Sequence, residues 1–435
     1  MEAKDSKLSG NKGRFGSRIR EWFSGIPTLG WLIGALVAVV LENLVGDLLT
    51  EVIGLPKIPV LFGFVTMLKK PLLIPSLIIF VFLIYVLPMT VVARLCAASA
   101  NKLAEKFLKL PIGFSAVIHL ALLYAILHIW CDISAYRVLI LKLTLIAVIL
   151  TLSLNVVNGY MGEFSCSHPG FMALGAYGAS IFTLILFVDD KLFGTALLPA
   201  ALGPFMFPIA LIIGGLIAAV GALVVAIPSF RTRGDYLAII SLAFLFIVKS
   251  MIENLEVVGG PRGLSSQPNW SNLPTVFIWT VISVWVINNF VRSTFGKALN
   301  AVRDDEMAAD AMTVNTRRTK IVAFMFAAFW AGVAGGLFAH VLRYVNPGTF
   351  GIQKLAEVLA MVYLGGLNSV VGSIVGAVGM SLLSEALRPL EIFKWIIIPL
   401  MLILVMVYRP TGLIAFREFD VHKLLKPKMR TEKEV

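Results

Sequence analysis

Charge is scarce in this sequence. Asp, Glu, Lys and Arg make up 14% of its 435 residues, while 58% are hydrophobic. A soluble domain carries about a quarter charged residues and about half apolar ones. A core in water cannot absorb that difference, so lipid must solvate much of the chain. Acidic residues are scarcer than basic ones, 25 against 37, for a net charge of +12. In a membrane protein such an excess sets orientation, and nucleic-acid binding is not expected. Only three cysteines occur, Cys96, Cys131 and Cys166. They are scattered without CxxC spacing, read as small apolar residues, and say nothing of redox compartment. His119, His128, His168, His340 and His422 are too dispersed for a metal site. GxxxxGK[ST], HExxH and GxSxG are missing as well, and Gly296-Lys297 is followed by Ala298, so no phosphate cradle forms. Neither a metal, a cofactor nor a catalytic residue is expected, and any ATP use falls to a partner chain. The polar, basic first 22 residues do not read as a cleavable signal peptide.

What the chain has in quantity is long apolar runs. Twelve can span, or nearly span, about 30 Å of hydrocarbon. They fall at 26–46, 72–93, 113–130, 138–158, 168–188, 205–228, 237–256, 275–291, 321–342, 355–366, 369–386 and 395–408. Glu42, Asp47 and Glu51 cast doubt on the first, and the pair 355–366 and 369–386 is also readable as one span. With the N-terminus inside and all twelve crossing, 25 of the 37 Lys and Arg fall in cytoplasmic segments, as the positive-inside rule asks. Merging the pair would put the basic tail outside, so parity favours two short crossings or a broken helix. The expectation is an all-α polytopic membrane protein of about 10–12 transmembrane helices, with both termini cytoplasmic.

The chain divides into a basic cytoplasmic start at 1–25, accessory helices at 26–112, a core at 113–413 holding a polar cytoplasmic loop at 292–320, and a basic tail at 414–435. Gly332 with Gly336, and Gly372 with Gly376, are small-xxx-small pairs suited to close helix packing. Lys249 and Glu253, one turn apart, are expected to pair. Glu357 and Glu385 lie near run ends, within reach of the interface. Asn155, Asn158, Ser165 and His168 surround a Gly-rich break. Irregular backbone at membrane depth survives where it lines a cavity or is buried in protein. These four residues therefore either line a translocation path or form a cytoplasmic-side turn in which His168 caps the next helix.

The stretch FGKALNAVRDDEMAADAM at 295–312 is the outlier. On a 3.6-residue wheel Ala298, Ala301, Val302, Ala308, Ala309 and Met312 share a stripe, with Asp305 in its middle and Lys297, Arg303, Asp304, Glu306 and Asp310 off it. A helix made to rest on headgroups would carry Lys and Arg opposite larger apolar anchors. Alanines instead admit another protein, so the stretch reads as a docking helix for a cytoplasmic partner, or otherwise as a solvated loop helix.

That stretch resembles the EAA-type coupling loop of permeases in ATP-binding-cassette importers. From about Leu141 to Leu413 the chain is similar to the LivM-type permeases of branched-chain amino-acid importers. NVVNGYMGEFSCSHPGFMALGAYGA (155–179), RTRGDYLAIISLAF (231–244), GGPRGLSS (259–266), LGGLNSVVGSIVGA (364–377) and RPTGL (409–413) carry the likeness in order. Departures are Thr313 for a Gly after the coupling helix, Ser167 for a Gly before the family's His, and Asn368 and Ser373 for a Gly and a Pro. Asn315 is expected to take the left-handed turn in place of the missing Gly. Glu163 has no counterpart in the family pattern.

The resemblance implies an inner-membrane permease bundle with broken and short helices, working by alternating access. Lys297, Ala298, Arg303, Asp304, Asp305, Glu306, Ala308, Ala309 and Asp310 would couple it to the ATPases. Its partners would be a homologous permease, two ATP-binding-cassette ATPase subunits and an extracytoplasmic solute-binding protein, with leucine, isoleucine or valine as substrate. A urea or amide importer shares the architecture. An ion-coupled secondary transporter is the rival from another class, and a membrane enzyme lacks a polar constellation to support it.

Overall fold

The computed structural model describes residues 23, 25–55, 57–109, 111–189, 194–230, 236–409, 411–416, 419–420 and 425–426. Most of the basic N-terminal segment 1–25, much of the tail 414–435 and the RTRGD stretch at 231–235 lie outside them. Each of the twelve apolar runs is a helix. Among the described residues nine helical stretches are long and apolar enough to cross a membrane, and the chain is an all-α polytopic membrane protein. It divides into two compact units, residues 1–137 with 420–435, and residues 138–419.

In the first unit α1 (Thr28–Ile53), α2 (Pro71–Leu95), α3 (Ala97–Leu108) and α4 (Ile112–Asp132) succeed one another. The acidic residues that make α1 doubtful in sequence do not break it. Glu42 is fully buried, with its Oε1 2.8 Å from Nη2 of Arg137, which is also buried. Arg137 donates further to the carbonyls of Pro59 and Trp130, and its guanidinium lies 4.8 Å from the Trp130 ring. A buried carboxylate is tolerated only when so paired. Asp47 and Glu51 sit at the exposed end of the helix.

The second unit is built on α5 (Ala135–Asn155), α6 (His168–Phe187), α7 (Gly203–Ser229), α8 (Tyr236–Asn254), α9 (Leu273–Arg292) and α12 (Thr316–Leu342). Between α9 and α12 lie α10 (Thr294–Asp304) and α11 (Glu306–Ala311). Its centre is α6, α7 and α12, which approach backbone to backbone. A Cβ on Gly175 would strike the Gly332 backbone, one on Gly214 the Gly175 carbonyl, and one on Gly335 the Met172 carbonyl. Lipid gives helices no hydrophobic reason to associate, so such packing has to supply the cohesion. Lys249 and Glu253 of α8 pair at 3.7 Å.

A two-residue antiparallel ladder, β1 (Leu264–Ser265) on β2 (Tyr344–Val345), ties the 259–266 loop to the end of α12. Beyond it the doubtful pair of runs is two helices, α13 (Ile352–Gly365) and α14 (Val370–Ala386), succeeded by α15 (Glu391–Tyr408). The turn between α13 and α14 uses Gly366 at φ 122° and Asn368 at φ 55°. Asn is among the few side-chain-bearing residues that enter the left-handed region readily, so it serves where the family pattern has Gly. Leu413 N donates to Leu364 O and Ile414 N to Gly365 O, so the end of RPTGL seats on this turn.

Candidate functional site

The polar stretch after α9 folds as two helices, not one. Gly296 lies so close to the Val291 backbone that a Cβ would collide with it, and only glycine lets α10 fold back there. Ser293 caps α10 by accepting from Gly296 N at 3.3 Å. Asp305 then leaves helical geometry at φ −157°, and its Oδ1 accepts from Met307 N at 2.9 Å and Ala308 N at 3.0 Å. Asp305 is therefore the N-cap of α11, the role its short carboxylate suits best. This corrects the single amphipathic stripe. A cap, not a helical face, accounts for a carboxylate in the middle of the apolar positions.

The break also rearranges the faces. Leu299, Val302 and Ala309 are buried, Ala298 is half-buried, and Lys297, Asp304, Asp305, Glu306, Ala308 and Asp310 are exposed. Met307 and Met312, each 77% exposed, form an apolar tip among these acids. Helix α11 closes with Val314 N donating to Ala309 O, and the left-handed residue is Thr313 at φ 69°. That is a Schellman ending. Asn315, expected to take the left-handed position, stands at φ −73° and instead caps α12 by accepting from Arg318 N.

Asn155, Asn158, Ser165 and His168 cluster at the break between α5 and α6, all buried. Helix α5 ends in a π-turn, Val156–Met161, then Gly162 at φ 76° and irregular chain to α6. Asn155 Nδ2 donates to Ser369 O at 3.0 Å and Ser373 Oγ at 2.6 Å, and its Oδ1 accepts from Asn368 N. Its polar atoms thus staple the α13–α14 turn to the break. Asn158 Oδ1 accepts from Ser165 N, and Ser165 Oγ meets Ser167 Oγ at 2.9 Å. The buried His168 ring interacts with the Ser153 backbone, and the buried Asn158 side chain interacts with Tyr363. The thiol of neighbouring Cys166 is pushed up by burial, against a smaller opposing effect of Ser241.

The two clusters, 140 residues apart in sequence, touch. Arg303 Nη1 donates to Gly159 O in the π-turn at 3.3 Å, while Nε and Nη2 hold Asp304 Oδ1 at 2.9 and 2.8 Å. Lys320, at the start of α12 and only 8% exposed, bridges Glu163 Oε1 at 2.7 Å and Glu306 Oε2 at 2.8 Å. Glu306 therefore has a cation to answer, which offsets its like-charged neighbour Asp310 one turn on. Sequence reasoning counted Lys320 only as a cytoplasmic charge. The signal that could have found it is Glu163, an acid at the membrane-facing break that the family pattern leaves unexplained.

Residues 136–406 match the family described as branched-chain amino acid transport system / permease component. The chain is 33% identical over 317 residues to the high-affinity branched-chain amino acid transport system permease protein LivM of Escherichia coli K12, covering 65% of this chain and 71% of that protein. It is 32% identical over the same shares to LivM of Salmonella typhimurium. The autoinducer 2 import system permease protein LsrC of Photorhabdus luminescens is 26% identical over 139 residues, 30% of this chain and 41% of its own. No solved structure matches the chain.

Proposed function

Because the chain belongs to the family of branched-chain amino acid transport permeases, we propose that it carries leucine, isoleucine and valine as the membrane-spanning subunit of an ATP-driven importer. It pairs with a homologous permease, docks two ATPase subunits on its cytoplasmic side and receives substrate from an extracytoplasmic binding protein. It lies in the inner membrane with both termini cytoplasmic, in keeping with its distribution of basic residues.

The observation that carries this reading is the tie between the exposed tip and the buried break. Met307 and Met312 offer a soft apolar contact, and Asp304, Asp305 and Asp310 surround it with negative charge. A partner that moves this tip pulls on Glu306, and through Lys320 on Glu163. It also pulls on Arg303, and through it on the Gly159 carbonyl. Closure of the ATPase dimer is thereby converted into movement of the break, where Asn158 and His168 line the path while Asn155 and Ser165 shape it. Lys297 and Ala308 set the docking face with Ala298 at its half-buried edge, while Ala309 packs inward and holds the tip in place.

The test uses membranes from cells producing the complete importer. Asp305→Ser keeps the cap and is expected to retain ATP-driven uptake. Asp305→Arg loses the cap, about 1 kcal/mol, and reverses the docking charge. It is expected to abolish uptake while the permease remains at normal level in the membrane. Normal uptake by Asp305→Arg, or uptake by membranes holding no P-loop ATPase, refutes the coupling and points to an ion-coupled carrier. Recovery of an ATPase and a second permease with the affinity-purified chain supports it. Competition by urea but not by leucine would move the substrate to the amide class.

A further inference from the structure

Inside the second unit lies a cavity of about 180 Å³ bounded by α5, α6, α12, α13, α14 and α15. Four charged side chains reach it: Lys354 and Glu357 from α13, Glu385 from α14 and Lys394 from α15. Lys354 Nζ and Glu357 Oε2 are 3.1 Å apart, and Glu385 meets the exposed Arg388 at 3.2 Å. Lys394 makes no ion pair among the described residues. The lining also holds the apolar side chains of Ile146 and Leu150 of α5 and Met361 of α13, and the hydroxyls of Ser381 and Ser384.

These four charges stand within two turns of the ends of α13, α14 and α15, and ionisable residues on membrane helices usually face a bundle interior or a cavity. Here both signs meet around one small space. Lys394 has no carboxylate partner among the described residues and calls for an anionic group, while Glu357 and Glu385, each meeting one cation at 3.1 and 3.2 Å, keep acceptor capacity for a further donor. A molecule carrying both charges satisfies both. The volume admits roughly six waters' worth of solute and falls well below the roughly 300–1,000 Å³ of drug-sized sites, too small for the acyl chains of a lipid.

We infer that this cavity is a transit site for a small zwitterion with an aliphatic side chain, its carboxylate toward Lys394, its ammonium toward Glu357 and Glu385, and its side chain against Ile146, Leu150 and Met361. The inference rests on the permease reading above and adds a place where the permease itself selects the substrate. The hairpin α13–α14 supplies three of the four charges, and its turn is the one stapled by Asn155 to the break. Movement of the break thus reaches the site.

Two measurements test it. In membrane vesicles holding the complete importer, ATP-driven uptake of radiolabelled L-leucine establishes the permease reading, and its absence in the wild type overturns that reading. In nanodiscs holding the purified full-length chain without binding protein, L-leucine binding is measured directly. The competitors are 4-methylpentanoate, which lacks the ammonium, and 3-methylbutylamine, which lacks the carboxylate. Each is expected to compete at least about tenfold more weakly than leucine, because it leaves a buried charge unanswered. Lys394→Met is expected to weaken leucine binding about tenfold and Lys394→Arg to restore most of it. Ala147 lines the same cavity, and Ala147→Leu fills part of it. That variant is expected to shift preference from leucine toward valine by about tenfold, the scale of a methylene or two in a fitted pocket. Such a shift in selectivity is not a consequence of altered folding. Wild-type vesicles that transport leucine, together with an unchanged leucine-to-valine ratio in a normally folded Ala147→Leu chain, overturn the transit site and leave the permease reading standing.

Discussion

Single residues show how unevenly the site can be read from sequence. Asp305 was visible as a carboxylate out of place on an apolar stripe, but its reason is a break in the helix that a wheel assumes away. Lys320 was invisible, because an ion pair spanning residues 163 and 320 has no local pattern. Lys320→Met leaves Glu163 and Glu306 facing each other without their shared cation. Uptake is expected to fall by on the order of tenfold or more while ATP hydrolysis continues, with partial recovery in Lys320→Arg; a ratio of ATP hydrolysed to leucine moved checks it. Thr313 holds a left-handed conformation that costs a β-branched residue about 1–2 kcal/mol. Thr313→Gly is expected to raise thermal stability in detergent by part of that sum. Cys166 and Cys131 are buried while Cys96 is partly exposed, and burial raises the Cys166 thiol further. A maleimide is expected to modify Cys96 first and to leave the other two largely unmodified in the resting protein, as mass spectrometry of the alkylated chain will show.

At the scale of helices the sequence was far more legible. Every apolar run became a helix, because run length against hydrocarbon thickness is a local property. The doubtful first run failed as a sequence judgement only because Arg137, 95 residues on, pairs with Glu42. The glycine pairs told where backbones meet but not against what. Gly332 meets α6 and α7, and Gly376 meets Gly365 and the Met361 carbonyl of α13. Gly175→Val forces α6 off α12 backbone to backbone. Since the clash is with backbone that cannot give way, it is expected to cost about 3 kcal/mol, the upper end of the overpacking range, and to lower the amount of folded protein in the membrane. Gly379→Ala, with open space around it, is expected to be neutral; fluorescence-detected chromatography of both variants is the check.

For the whole molecule, orientation comes from counting charges, and composition alone excluded a soluble fold. A cysteine introduced at the exposed Ser265, in a background lacking the three native ones, is expected to react with an impermeant maleimide only from the extracytoplasmic side. Labelling only in inverted vesicles would reverse the topology. What the sequence withheld was the contact between distant segments: the docking tip with the π-turn, the π-turn with the α13–α14 hairpin, and the four charges around one cavity. The π-turn at Val156–Met161 also makes the chain's arithmetic matter there. A π-turn carries one residue more than the α-turn it replaces. Deleting one residue between Asn155 and Gly162 lets the backbone relapse into α-helix and swings the downstream residues by about 100°, away from Arg303 on one side and Asn368 on the other. Like-sized exchanges at Val156 or Val157 leave the count intact. The stretch is therefore expected to tolerate like-sized exchange at its valines and to fail on any change of length, while Gly159, whose Cβ would strike Asn155 and Asn368, admits no larger residue.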